Sequence, residues 1–143
     1  MAAAPQPIDP RGPRFNQAVL AAALVVGFVL DWRAVIPLFA VVLLLGAAFG
    51  PRHGPFLRLY AEVIKPRLAP PAELEDPRPP RFAQAVGLGF TVVALVGYLT
   101  GAVLLAQVAV GLAVVAAFLN AAFGFCLGCE LYLRGIRVLR PVP

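Results

Sequence analysis

The run Ala102-Val103-Leu104-Leu105-Ala106-Gln107-Val108-Ala109-Val110-Gly111-Leu112-Ala113-Val114-Val115-Ala116-Ala117-Phe118-Leu119-Asn120-Ala121-Ala122-Phe123 holds no charged residue. Its length meets the roughly 17–25 apolar residues that a membrane-spanning helix needs. Three similar segments precede it, at about Phe15–Leu30, Ala34–Phe49 and Phe82–Leu99. The 143-residue chain is 61% hydrophobic and 13% charged, against about 25% charged in soluble domains. A soluble domain of this size buries only about two-thirds of its surface, so lipid must solvate the remainder. The reading is an all-α integral membrane protein with four transmembrane helices.

Asp31-Trp32-Arg33 is all that separates the first two segments, and Thr100-Gly101 the last two. Connections this short make antiparallel hairpins. Pro37 is expected to kink the second helix near its start. Arg11 and Arg14 ahead of an apolar run imitate a secretion signal, but no small-x-small cleavage site follows. The segment is read as a retained helix.

Outward from the spans, residues 1–14 carry four prolines and read as a disordered N-terminus. Residues 15–65 form the first hairpin plus Phe56–Lys65, whose mixed apolar and charged character suits a short interfacial amphipathic helix. Residues 66–81 read as a Pro-rich cytoplasmic linker. Residues 82–133 form the second hairpin, and 134–143 a basic tail with Arg134, Arg137 and Arg140.

The two hairpins read as tandem repeats. Pro13-Arg14-Phe15-Asn16-Gln17-Ala18-Val19 recurs as Pro80-Arg81-Phe82-Ala83-Gln84-Ala85-Val86. Ala47-Ala48-Phe49-Gly50, followed by Gly54, recurs as Ala121-Ala122-Phe123-Gly124, followed by Gly128. Two spans per unit give both copies one orientation, related by an axis along the membrane normal. Of the basic residues only Arg33 lies in a hairpin turn, so the positive-inside rule makes both termini and the linker cytoplasmic in a cell membrane. The formal charge of +5 is explained by this topology and by anionic lipid. No basic cluster is dense enough to trace a phosphate backbone, which excludes nucleic acid.

The only two cysteines stand in Phe125-Cys126-Leu127-Gly128-Cys129-Glu130, directly after the last span. Cys-x-x-Cys suits dithiol/disulfide exchange, because the second sulfur can resolve a mixed disulfide on the first. If Gly124 ends the span and a new helix begins near Phe125, the pair occupies its first turn, where the macrodipole favours thiolate. If the span continues, that help is lost; the alternative to a reactive pair is that the cysteines are small apolar packing residues. Repeat matching puts Arg52 opposite Cys126 and His53 opposite Leu127, making both candidates for supporting a thiolate. The alternative has Arg52 on headgroups and His53 closing a helix. Gln17 and Gln84 are read as interhelical hydrogen-bonding residues, and Glu130 as solvated. No cofactor motif is read, and with His53 the sole histidine no metal site is expected within one chain.

These features together resemble a bacterial membrane family catalogued as domain of unknown function 4395. The likeness rests on the Pro-Arg-Phe-x-Gln openings, on Glu75-Asp76-x-x-Pro79-x-Arg81-Phe82, and on Gly124-Phe125-Cys126-x-Gly128-Cys129-x-x-Tyr132, from about Asp9 to Tyr132. It implies gene neighbours of thioredoxin-like and rhodanese-type sulfurtransferase character, and hence thiol or sulfur handling at the membrane; it implies no catalytic residues. The expectation is a membrane dithiol component, Cys126 and Cys129, exchanging electrons or sulfane sulfur with such a partner in a homodimer or hetero-complex. A small-solute transporter subunit and a non-catalytic anchor or assembly protein stand as alternatives. A quinone-linked disulfide oxidoreductase is disfavoured by the cysteine count and the cytoplasmic motif.

Overall fold

Two aspartates set where the bundle begins. Asp9 Oδ1 accepts the Arg11 backbone N–H at 3.0 Å, and Asp76 Oδ1 accepts that of Arg78 at 2.9 Å. Each satisfies a donor that the first helical turn leaves orphaned, and the prolines that follow have no N–H to lose there. In the computed structural model, which describes residues 5–139, helix α1 accordingly spans Arg11–Val29 and α4 spans Arg78–Thr100. The others are α2 (Val35–Phe49), the short α3 (Pro55–Leu59), α5 (Val103–Phe123) and α6 (Leu127–Leu139).

Among the described residues there is no strand, only one antiparallel bridge between Ile8 and Glu75, bonded at 2.9 and 2.8 Å. The protein is all-helical, and α1, α4 and α5, with 19, 23 and 21 residues, are long and apolar enough to cross a membrane. Helix α2 has 15 residues, shorter than that. Leucine, valine and phenylalanine side chains stand exposed along all four, as on a lipid-facing surface.

The long helices interlock. Helix α4 packs on both α2 and α5, α1 packs chiefly on α5, and α1 meets α2 less, with Gly27 close to Val35. Leu24 and Leu43, each 1% exposed, centre the core, and Ala94, Ala106, Ala109, Ala113 and Ala117 fill the seams. Small residues let helices approach closely where lipid supplies no hydrophobic drive between them. The helices run between two levels. At one, Arg81 Nε and Nη2 donate to the carbonyls of Ala47 and Ala48 at the end of α2, and Arg14 fills the space that a Cβ on Gly124, after α5, would occupy. At the other, the Arg33 guanidinium from the first turn lies 4.9 Å from the Tyr98 ring near the second.

Several sequence expectations are corrected. The disordered N-terminus is folded from Ile8 onward: Ile8 and Asp9 are buried, because an aspartate with charge-assisted partners outweighs the proline signal. The linker yields residues 78–81 to α4, and the basic tail yields 134–139 to α6. Residues 1–4 and 140–143, Arg140 among them, lie outside the described residues. Pro37 sits in the first turn of α2, where no helical bond is lost and no kink is required. The segment expected as an interfacial helix is helical but irregular: α3 widens into a π turn at Tyr60–Ile64 and ends in a 3₁₀ turn at Lys65–Arg67. Its buried residues, Leu57 and Tyr60, sit on α1 against Gly12 and Phe15.

Candidate functional site

Gly124 takes a left-handed conformation, φ 68°, which glycine adopts without steric cost. The Gly124 N–H bonds the Asn120 carbonyl at 3.0 Å and the Phe125 N–H bonds that of Leu119 at 3.3 Å, closing α5. Helix α6 then starts afresh, so Cys126 is its N-terminal cap. The Cys126 carbonyl accepts from Glu130 N–H at 3.0 Å, and its Sγ accepts from Cys129 N–H at 3.2 Å. Of the two sequence readings, the new helix is the one observed. The Cα atoms of Cys126 and Cys129 are 5.1 Å apart and the two form a disulfide, a separation inside the range such bonds allow.

Between the cysteines, Gly128 rests on Ala83 so closely that a Cβ would lie 2.6 Å from the Ala83 Cα. The small residue inside the motif thus seats the first turn of α6 on α4. One turn later Phe82 and Tyr132 pack ring to ring at 5.6 Å. On the same helix, Glu130 and Arg134 form a 3.9 Å ion pair.

The disulfide lines a cavity of about 370 Å³ together with Arg14, Asn16, Gln84 and Asn120; Glu75, Asp76 and Glu130 bring acids to the same cavity. Asn16, Gln84 and Asn120 are 4–7% exposed. Gln84 Oε1 is buried against Gly46 with no hydrogen-bond partner. Buried carboxamides are costly unless something satisfies them, so this is the polar centre of the molecule.

Arg52 and His53 are not part of it. Arg52 donates to Gln6 Oε1 at 2.6 Å and to the Pro7 carbonyl at 2.7 Å. His53 stands edge-on to Phe49 at 6.4 Å. Both line a separate recess of about 330 Å³ with Arg78 and Arg81. The expected thiolate support from this pair is therefore corrected, because the cross-half contact delivers Arg14 of α1 to the cysteine side and Arg81 of α4 to the Arg52 side. Arg14, Asn16 and Asn120 went unread as site residues. The legible signal was polarity next to or inside apolar runs.

Under the Arg52 side lies a second polar cluster. Asp9, 7% exposed, accepts from Arg11 Nε at 3.0 Å, from Arg11 Nη2 at 2.9 Å and from the Tyr60 hydroxyl at 3.1 Å. Burial pushes its carboxyl up, but the bonds from Arg11 and Tyr60 outweigh it and hold Asp9 below the usual range. Burial and the bond to Asp9 push the Tyr60 phenol up. Among the described residues no three of His, Cys, Asp and Glu gather as a metal site.

No curated protein and no solved structure matches the chain. The family described as "Domain of unknown function (DUF4395)" matches residues 8–137. With the match running from the buried Ile8 through the disulfide and most of α6, the chain belongs to that family.

Proposed function

We propose that Cys126 and Cys129 are a working dithiol/disulfide of a membrane protein, exchanging electrons or sulfane sulfur with a thioredoxin-like or rhodanese-type partner in the cytosol. One observation carries the reading: the pair occupies the first turn of a new helix and lines a polar cavity that also holds Arg14. A helix N-terminus and a neighbouring cation both favour thiolate over thiol, and a resolving sulfur three residues away releases a mixed disulfide.

The scaffold is read as four spans in two like hairpins about a pseudo-twofold axis. Supporting this, Asp-Pro-Arg-x-Pro-Arg-Phe-x-Gln-Ala-Val occurs at both Asp9–Val19 and Asp76–Val86. Ile8 and Glu75, which immediately precede these stretches, pair with each other, as residues on a twofold axis do. Each stretch sends its second arginine to the end of the other half's second helix. Helix α2 is about 22 Å long at 1.5 Å per residue, against a hydrocarbon core of about 30 Å. The exposed apolar Leu30 and Trp32 of the turn before it extend its apolar length. Apart from Arg33, the basic side chains described here belong to the level of the helix starts and the linker, which the positive-inside rule makes cytoplasmic.

Thiol labelling in sealed vesicles of both orientations, with and without reductant, tests the reading. Labelling of Cys126 and Cys129 only after reduction, and only from the cytoplasmic face, is expected. Redox-insensitive labelling would overturn the dithiol assignment, and labelling from the other face would overturn the orientation.

A further inference from the structure

A second opening reaches the same disulfide from a different direction. An apolar groove of about 290 Å³ runs between α4 and α5. Leu20, Leu43, Gly87 and Thr91 line its inner part, and Leu112 and Val115, 51% and 54% exposed, belong to the apolar surface of α5. Gln17, Asn120 and Cys126 line both this groove and the polar cavity. The disulfide therefore stands at the junction of a polar cavity and a channel lined by lipid-facing residues.

Cysteine count and topology disfavour a quinone-linked oxidoreductase in the sequence, but the apolar groove reaching Cys126 reverses that expectation: we propose that the groove admits a lipid-dissolved quinone, and that this quinone reoxidises the Cys126–Cys129 dithiol. The proposal rests on the dithiol reading above and names its electron acceptor. The occupant must be apolar along most of its length, reach the groove from the bilayer, and place hydrogen-bonding atoms beside Gln17 and Asn120. It must also exchange electrons, because its head abuts a cysteine pair. An acyl chain lacks the polar head and the redox chemistry, whereas a tailed quinone has both. Carboxamides both donate and accept, so the same two side chains serve the carbonyls of the quinone and the hydroxyls of the quinol.

The step balances. Two S–H bonds break and one S–S bond forms, and the two electrons and two protons released convert the quinone's two carbonyls into hydroxyls. The disulfide is then reopened by a partner's two thiols through exchange, leaving the partner oxidised. A membrane oxidant of this kind keeps the pair poised in a compartment that otherwise holds thiols reduced.

The test uses the full chain in lipid nanodiscs, reduced and then freed of reductant. The probe is a benzoquinone with a decyl tail and every other ring position substituted, so that thiolates cannot add to the ring. The expected result is one quinol formed per protein with loss of both alkylatable thiols. Ala116→Phe and Leu112→Trp alter side chains that line the groove but not the polar cavity. Each is expected to slow the quinone step by about tenfold or more while oxidation by an aqueous aromatic disulfide keeps its rate. Quinol formation at the unaltered rate in both variants would overturn the groove. Oxidation by the aqueous disulfide but not by the quinone would overturn the quinone and leave the dithiol reading standing. A pair that neither reagent oxidises would remove both.

Discussion

The polar end of the bundle has two corners that begin from nearly the same sequence and finish differently. At the first, Gly46 of α2 leaves room for Gln84, Arg81 holds the end of α2, and α3 is pressed onto α1 through Leu57 and Tyr60. At the second, Asn120 stands where the first has Gly46. Arg14 reaches the end of α5, and α6 lies on α4 over a cavity instead of closing it. One corner is filled by Gln84, which also borders the cysteine cavity, and is fixed by the Asp9–Arg11–Tyr60 cluster. The other is left hollow, lined with carboxamides and given the cysteines. On the proposed dithiol reading, the difference teaches that one end can serve support and the other chemistry, with a glycine-to-asparagine exchange marking the divide.

The most severe way to break this comparison is to exchange the roles of the corners. Cys126→Ser or Cys129→Ser is expected to abolish thiol exchange with little change in thermal stability in detergent. Arg52→Gln and His53→Asn are expected to leave exchange intact. Loss of exchange in the Arg52 or His53 variants would mean that the corners work together. Next in size is Gly46→Ala, which drives a methyl group onto the Gln84 side chain. Overpacking of this kind costs about 1–3 kcal/mol, read as a fall in melting temperature, and adding Gln84→Ala should recover most of it. The matched change Asn120→Ala faces the cavity and should cost less.

The three long apolar helices and the start of α6 were legible in sequence because charge-free runs and glycine stops are local signals. The cavity was not, because it depends on which hairpin faces which. Matching Arg52 to Cys126 by the sequence likeness does not bring them together: Arg52 lines a recess with Arg78 and Arg81, and the cysteines line a cavity with Arg14. The partner of each corner is the other half's first helix, and so Arg14 was overlooked. The order of residues 8–10 was hidden for a related reason: Asp9 finds Tyr60 far away in sequence, while the prolines around it advertise disorder.

Arginine replacement sharpens the comparison at smaller scale. Arg14→Gln is expected to slow reaction of the reduced pair with an aqueous disulfide by about fivefold, the equivalent of about 1 kcal/mol of thiolate stabilisation, with the pH midpoint of the rate moving up. Arg81→Gln removes two charge-assisted bonds to α2 carbonyls and should lower stability without moving that midpoint. A midpoint shift in the Arg81 variant would count against the division of labour.

The gentlest probe is acid. Asp9 is held below its ordinary value in the folded protein, so the unfolded chain binds its proton more readily. A group of this kind contributes stability that is fully present above the unfolded value, near 3.9, and is lost as pH falls through the lower folded value. Tyr60→Phe removes one of the bonds responsible and should cost about 1 kcal/mol at neutral pH. Asp9→Asn should be less stable than the natural chain at pH 7 and converge with it as the pH is taken below about 4. At the matched position Asp76 is exposed and its pair with Arg78 spans 4.0 Å, so Asp76→Asn should stay within about 0.5 kcal/mol throughout. Melting curves of the three variants across pH decide it: an acid-sensitive gap confined to Asp9 and Tyr60 keeps the supporting corner where the fold puts it, and an equal gap at Asp76 would make the two corners alike.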